Sequence, residues 1–356
     1  MYNKITIYKT DFSNKYLLRF DDNSLYVGYI VKEIILLLKN NIQKKSIPQI
    51  INEKYNLTIN GDDIQKVINK IEKTLFIKKE ISLIKLFKII NPSKINFPFL
   101  VQNIFKEKVF YIYLIFMFCI NVYAFINVEK VVSKSTMETI FFYLFLILIL
   151  ISHELGHSIS SKKYGVITDE IGLGFYSVFP VFYIDLGEVW RLSIYKRIII
   201  NLSGIFSQLL IGSLLFILNF FLKNNYLITN LIYTNFIIIL LNFNPFFKFD
   251  GYWVVSDLLK ESNLMTKSNK LLKDLFLFKL PKEKLGMIFY ITLKLTFILW
   301  IIYNIASFIY VYTLKLLNNE LSNFNYIIIT VILMFFITKK LITKNKYGFR
   351  KRKEKI

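Results

Sequence analysis

From residue 109 onward the chain is dominated by long uncharged apolar stretches separated by short polar connections. Six of these, at 109–128, 139–161, 198–222, 226–247, 295–314 and 321–338, reach or approach the ~20 residues that a helix needs to cross a bilayer. The fifth can begin before Lys294, whose ammonium would then snorkel or face the bundle interior. The first hundred residues have a different pattern. They are charged and lack a long apolar core, so no N-terminal signal peptide is expected. Tyr16–Phe20 and Leu25–Gly28 read as short strands around an Asp-Asn turn. Amphipathic helical stretches follow near 30–40, 46–55 and 61–75, with Ser46-Ile47-Pro48 and Gly61-Asp62-Asp63 as helix starts.

The connections carry patterns of their own. Segment 164–197 is apolar and glycine-bearing, and it alternates through Val181–Leu186, which suits either a hairpin at the membrane or an interfacial loop with aromatic anchors. Residues 256–286 alternate charge with Leu and Phe, as an amphipathic helix on a bilayer surface does. Pro92 and Pro98 mark a linker. The expected organisation is a domain over 1–90, a linker over 91–108, a membrane domain over 109–338 with its core at 138–260, and a basic tail over 339–356.

Composition agrees with a membrane protein: 54% of residues are hydrophobic, 35 are Phe and 23 are Tyr, and the mean hydropathy is +0.46. Lys and Arg concentrate in alternate connections, namely 1–108, 162–197, 248–284 and the tail. Cytoplasmic loops carry that excess, so both termini are expected in the cytoplasm of a multi-pass cell-membrane protein. The net charge of +22 is then explained by topology and attraction to anionic lipid, and a nucleic-acid partner is not expected. The single cysteine, Cys119, can form no internal disulfide and reads as a small apolar residue, buried or lipid-facing.

Against this background the only two histidines stand four positions apart, in His153-Glu154-Leu155-Gly156-His157. Positions i and i+4 share one helix face. Two imidazoles so placed can bind one Zn²⁺, and a glutamate beside them can act as a base. Within 139–161, Glu154 is the one charge, and ionisable groups at membrane depth are costly enough to mark function.

Catalytic zinc takes three protein ligands as a rule. With no third histidine, and Cys119 on another span, a carboxylate must complete the set. Asp250 is the first candidate, because the second and fourth spans run in the same direction and bring it to the same membrane face as the histidines. Asp169, Glu170 and Asp185 rank lower, since the loop after the second span would have to fold back. Asp250-Gly251 also reads as a simple turn. Asn244-Pro245 suggests a broken helix end, where Asn244 either binds substrate or caps the helix.

His-Glu-Leu-Gly-His in a membrane span, with Asn-Pro…Asp-Gly at 244–251 ending a later one, resembles the site-2 protease family of intramembrane zinc metalloproteases. The resemblance covers about 138–260 and implies His153, His157 and Asp250 as zinc ligands and Glu154 as the catalytic base. It also takes in Asn201-Leu202-Ser203-Gly204, where small residues suit helix packing. The sequence departs from the commoner aspartate motif by having Phe247-Lys248-Phe249 before Asp250, in place of a further proline. The string Lys-Phe-Asp-Gly-Tyr-Trp is similar to a bacterial branch of peptide zinc metalloproteases that accompanies ribosomally made, modified peptides. That implies a membrane-associated peptide or protein substrate. The pattern of 1–90 resembles a PqqD-like winged-helix fold, which implies a leader-peptide partner, although a plain scaffold domain fits as well.

The expected fold is therefore a polytopic α-helical membrane protein of about six transmembrane helices with a small α+β winged-helix-like cytoplasmic domain. The alternatives are a non-proteolytic zinc-binding membrane protein for peptide export or immunity, a transporter carrying the motif by accident, and a membrane sensor.

Overall fold

The computed structural model describes residues 2–21, 23–76, 83–129, 135–176, 179–222, 225–261, 263–277 and 285–317. The sixth apolar stretch, 321–338, and the basic tail lie outside the described residues. The chain divides into two compact units, Met1–Thr266 and Lys267–Ile356.

The first unit opens with an antiparallel sheet of β1 (Thr6–Lys9), β2 (Lys15–Phe20) and β3 (Asn23–Gly28), in that order. Helices α1 (Tyr29–Lys39), α2 (Ile47–Tyr55) and α3 (Gly61–Leu75) pack onto it. On α3, Ile64, Ile68, Ile71 and Leu75 recur at helical spacing and are buried against Leu18, Ile34, Ile35 and Ile51. Asn60 caps α3 through the Asp62 N–H. The two strands and three helices read from sequence are present, and β1 is additional.

The next strand, β4 (Leu83–Ile90), falls within the 1–90 stretch and pairs outside the N-terminal sheet. It lies antiparallel to β5 (Ile171–Tyr176), which pairs with β6 (Phe179–Ile184), so the hairpin of segment 164–197 becomes a three-stranded sheet. Local pattern does not reveal such a partner more than eighty residues away.

After the short helix α4 (Phe99–Asn103) come α5 (Glu107–Asn127), α6 (Thr136–Lys163), α7 (Ile194–Phe221) and α8 (Tyr226–Phe243). These four, with α11 (Leu285–Leu317) of the second unit, make five helices among the described residues that are long and apolar enough to cross a membrane. Their outer faces are covered with exposed Ile, Leu and Phe, such as Ile112, Phe141, Leu144 and Ile217, a surface that suits lipid and not water. Cys119 is exposed on α5.

Helix α7 is central to the first unit. Its Ile198, Ile199, Leu202, Ile205, Phe206 and Leu209 pack with Phe110 and Leu114 of α5 and Ile239 of α8. On α6 the buried positions Ile149, His153, Gly156, His157 and Ser160 form a stripe facing α7. The chain leaves α8 at Asn244, turns, and enters α9 (Asp250–Leu258), which lies along α7. Helix α10 (Leu264–Phe276) spans the boundary between the units. In the second unit α11 begins before Lys294, whose Nζ is buried and donates to Ser268 Oγ at 2.9 Å and Asn269 Oδ1 at 2.6 Å. The ammonium is thus held by α10 of the same unit.

Candidate metal centre

His153 and His157 leave α6 on its buried face and meet Asp250, the first residue of α9. The two Nε2 atoms are 3.1 Å apart. Asp250 Oδ2 lies 3.1 Å from Nε2 of His153 and 3.4 Å from Nε2 of His157.

The far side of each ring decides what this convergence means. Gln208 Nε2 donates to Asn235 Oδ1, which leaves Gln208 Oε1 as the acceptor for Asn242 and for His153 Nδ1, the latter at 2.9 Å. His157 Nδ1 sits 2.7 Å from the carbonyl of Ile200, a group that can only accept. Both protons therefore belong on Nδ1, and both Nε2 atoms present lone pairs to each other and to a carboxylate oxygen. Asp250 Oδ2 is buried with no hydrogen-bond partner. Three electron-rich atoms brought this close, one of them orphaned, are unfavourable unless a cation lies between them. Ligand atoms about 2.0–2.1 Å from a tetrahedral zinc lie about 3.3 Å apart, so the donor set fits that ion.

Neighbouring backbone keeps the space open. A Cβ at Gly204 of α7 would overlap the Nε2 atoms of both histidines, so only glycine leaves room there. The sequence offered Asn201–Gly204 as packing residues, and Gly204 does more, because it faces the rings themselves. A Cβ at Gly251 would collide with the carbonyl of Phe243, so the start of α9 abuts the end of α8. The Asp-Gly pair thus sets Asp250 at a helix N-terminus, where a carboxylate is favoured by the helix dipole, and presses it toward α6.

Beside the three donors lies a cavity of about 810 Å³. Glu154, Asn201, Asn242, Lys248 and Trp253 line it, together with Pro180–Ile184 of β6 and the apolar Ile147, Leu150 and Ile238. Glu154 makes no hydrogen bond or ion pair with the described residues and faces this space. Of the two readings of Asn244, the structure shows the helix-end contact. Its Oδ1 accepts the Phe246 N–H at 2.8 Å and orders the turn after α8, and the cavity is lined instead by Asn242. A C-terminal cap bonds its own turn, and that competes with reaching into a cleft.

The other acidic candidates lie apart from the cluster. Asp185 pairs with Arg19 and accepts the Gly187 N–H, Glu170 accepts from the Tyr183 hydroxyl, and Asp169 is exposed. Sequence reasoning did not single out Gln208, Asn235, Arg197 or Asp257. A glutamine inside an apolar run was the available signal for the first of these.

The chain is similar to YydH of Bacillus subtilis (strain 168), a protein whose name describes a peptide zinc metalloprotease. The two are 32% identical over 165 residues, which is 43% of this chain and 65% of that protein. The match thus spans just under two thirds of the relative's length. No protein-family model matches the chain, and no solved structure matches it.

Proposed function

We propose that the chain is an intramembrane zinc metalloprotease of the site-2 protease type, cutting a membrane-associated peptide or protein, in the maturation or export of a ribosomally made peptide. The observation that carries this reading is the convergence of His153 Nε2, His157 Nε2 and Asp250 Oδ2, with both Nδ1 protons tied off and a free carboxylate, Glu154, in the adjoining cavity. The similarity to a protein named as a peptide zinc metalloprotease supports it.

His153, His157 and Asp250 would hold the zinc, which when bound acidifies water and polarises a carbonyl. Glu154 takes the proton of the attacking water and delivers it to the leaving amine. A helical substrate hides its peptide bonds in its own hydrogen bonds and must unwind before attack. Among the described residues β6 pairs only with β5, so its other edge can receive an extended segment by strand addition beside Glu154. Ile147, Leu150 and Ile238 give the cavity an apolar wall open to side chains from a membrane-embedded substrate. We place the protein in a bacterial cell membrane with both termini cytoplasmic.

Glu154→Gln separates the alternatives. In reconstituted vesicles, mass spectrometry of a membrane-peptide library should show chelator-sensitive cleavage by the wild type. The variant should show none while keeping its zinc. Zinc in both proteins and cleavage in neither would favour the non-proteolytic export or immunity role.

A further inference from the structure

Helix α9 carries a carboxylate at each end, and both face the same way. Asp250 and Asp257 are seven residues apart, two turns of helix, about 10 Å along the axis. Helix α7 answers with the same spacing, since Gly204 lies against the imidazoles and Arg197, seven residues earlier, holds Asp257. The guanidinium grips that carboxylate with two nitrogens, Nε to Oδ2 at 3.2 Å and Nη2 to Oδ1, and both residues of this fork are buried.

The remaining nitrogen of Arg197 leads out of the membrane domain. Its Nη1 donates to the hydroxyl of Tyr26 at 3.1 Å, and that hydroxyl in turn donates to the carbonyl of Trp190. Tyr26 lies on β3 of the N-terminal sheet. The same guanidinium stands 5.0 Å over the Trp190 ring and 5.9 Å over that of Phe12, another N-terminal residue. Trp190 packs edge-on against Trp253 of α9, with centroids 5.7 Å apart. Two routes, one polar and one aromatic, therefore run from the N-terminal sheet to the helix that begins with Asp250. A second cavity of about 340 Å³ lies under the sheet, and Trp190, Arg197 and Asp257 line both it and the larger one. Other anchors hold the sheet in place: Asp11 with Lys196, Tyr8 with Glu188, and Arg19 with Asp185.

We infer that the N-terminal domain is a working part of the metal centre: Tyr26, through Arg197 and Asp257, sets the position of α9 and so aims Asp250 at the two imidazoles. Arg197 and Tyr26 are positioning residues, since neither touches the three donors. This inference rests on the metal-binding reading above. A carboxylate hung on a nine-residue helix needs fixing at the far end as well as the near one, because a small rotation of α9 moves Oδ2 off the imidazole axis. Groups that orient metal ligands are worth roughly 10- to 100-fold in metal affinity.

The test uses the full-length protein in detergent, titrated with Co²⁺ and read by its visible absorption and by competition with a chelator. Tyr26→Phe, which deletes one hydroxyl, should weaken Co²⁺ binding several-fold and alter the ligand-field bands. Asp257→Asn and Arg197→Gln should each weaken it roughly 10-fold or more. Adding Tyr26→Phe to Arg197→Gln should then cost nothing further, because the relay is already cut. If Tyr26→Phe and Asp257→Asn are folded by size exclusion and thermal melting, yet give wild-type affinity and bands, the inference is overturned. Additive losses in the double variant would overturn the relay as well. A wild type that binds no Co²⁺ would instead overturn the metal reading itself, and the inference with it.

Discussion

Gln208 Oε1 stands 2.9 Å from Nδ1 of His153, and through that contact a residue on α7 decides which nitrogen of an α6 imidazole is free. The glutamine is itself fixed, because its Nε2 donates to Asn235 Oδ1 and its backbone carbonyl accepts from Asn235 Nδ2. The metal centre thus reaches into a polar seam between α7 and α8. Gln208→Leu should leave the His153 N–H buried without an acceptor and lower zinc affinity by roughly 10- to 100-fold. Gln208→Glu keeps an acceptor and should lose less. Chelator competition measures both, and equal affinities for wild type and Leu variant would contradict the role.

The two glycines at the site should separate metal binding from stability. Gly204→Ala places a methyl between the ring nitrogens and should remove zinc binding outright. Gly251→Ala pushes α9 from the end of α8, so it should cost stability as well, about 1–3 kcal/mol as overpacking does. Zinc content and melting temperature of the two variants check this. The expected order is a larger zinc loss at 204 and a larger stability loss at 251.

Docking of the N-terminal domain should respond to acid. The hydrogen bond from Lys196 holds the Asp11 carboxyl below its ordinary value of 3.8; partial burial opposes this, and the Ser193 N–H reinforces it. A depressed carboxyl stabilises the folded contact above the ordinary value, and that contribution is lost as pH falls through the lower, folded one. Hydrogen exchange at 190–196 should therefore be faster in Asp11→Asn than in wild type at pH 7. The difference should start to shrink below about pH 4 and vanish only once pH falls below the lowered, folded value. A difference that persisted at low pH would contradict this coupling.

What could be read in advance follows from how local each signal is. His153 and His157 are four residues apart on one helix, so their shared face, with Glu154 beside it, is legible without a fold. Asp250 was reachable because two spans running the same way end on the same side, and the structure brings it to the histidines. Asn244 had two readings, substrate contact or helix cap, and its Oδ1 accepts the Phe246 N–H as a cap does. Gln208 and Asp257 act through partners 55 and 60 residues distant, and β4 through a hairpin beyond two membrane helices. Their chemistry is ordinary in isolation, and only tertiary packing gives it direction.

Metal content of the purified chain tests the central claim most directly. Elemental analysis of wild type should find one zinc per chain, retained in Glu154→Gln and lost in His153→Ala, His157→Ala and Asp250→Ala. A wild type free of transition metal, or a triple variant lacking all three donors that still holds its zinc, would contradict it.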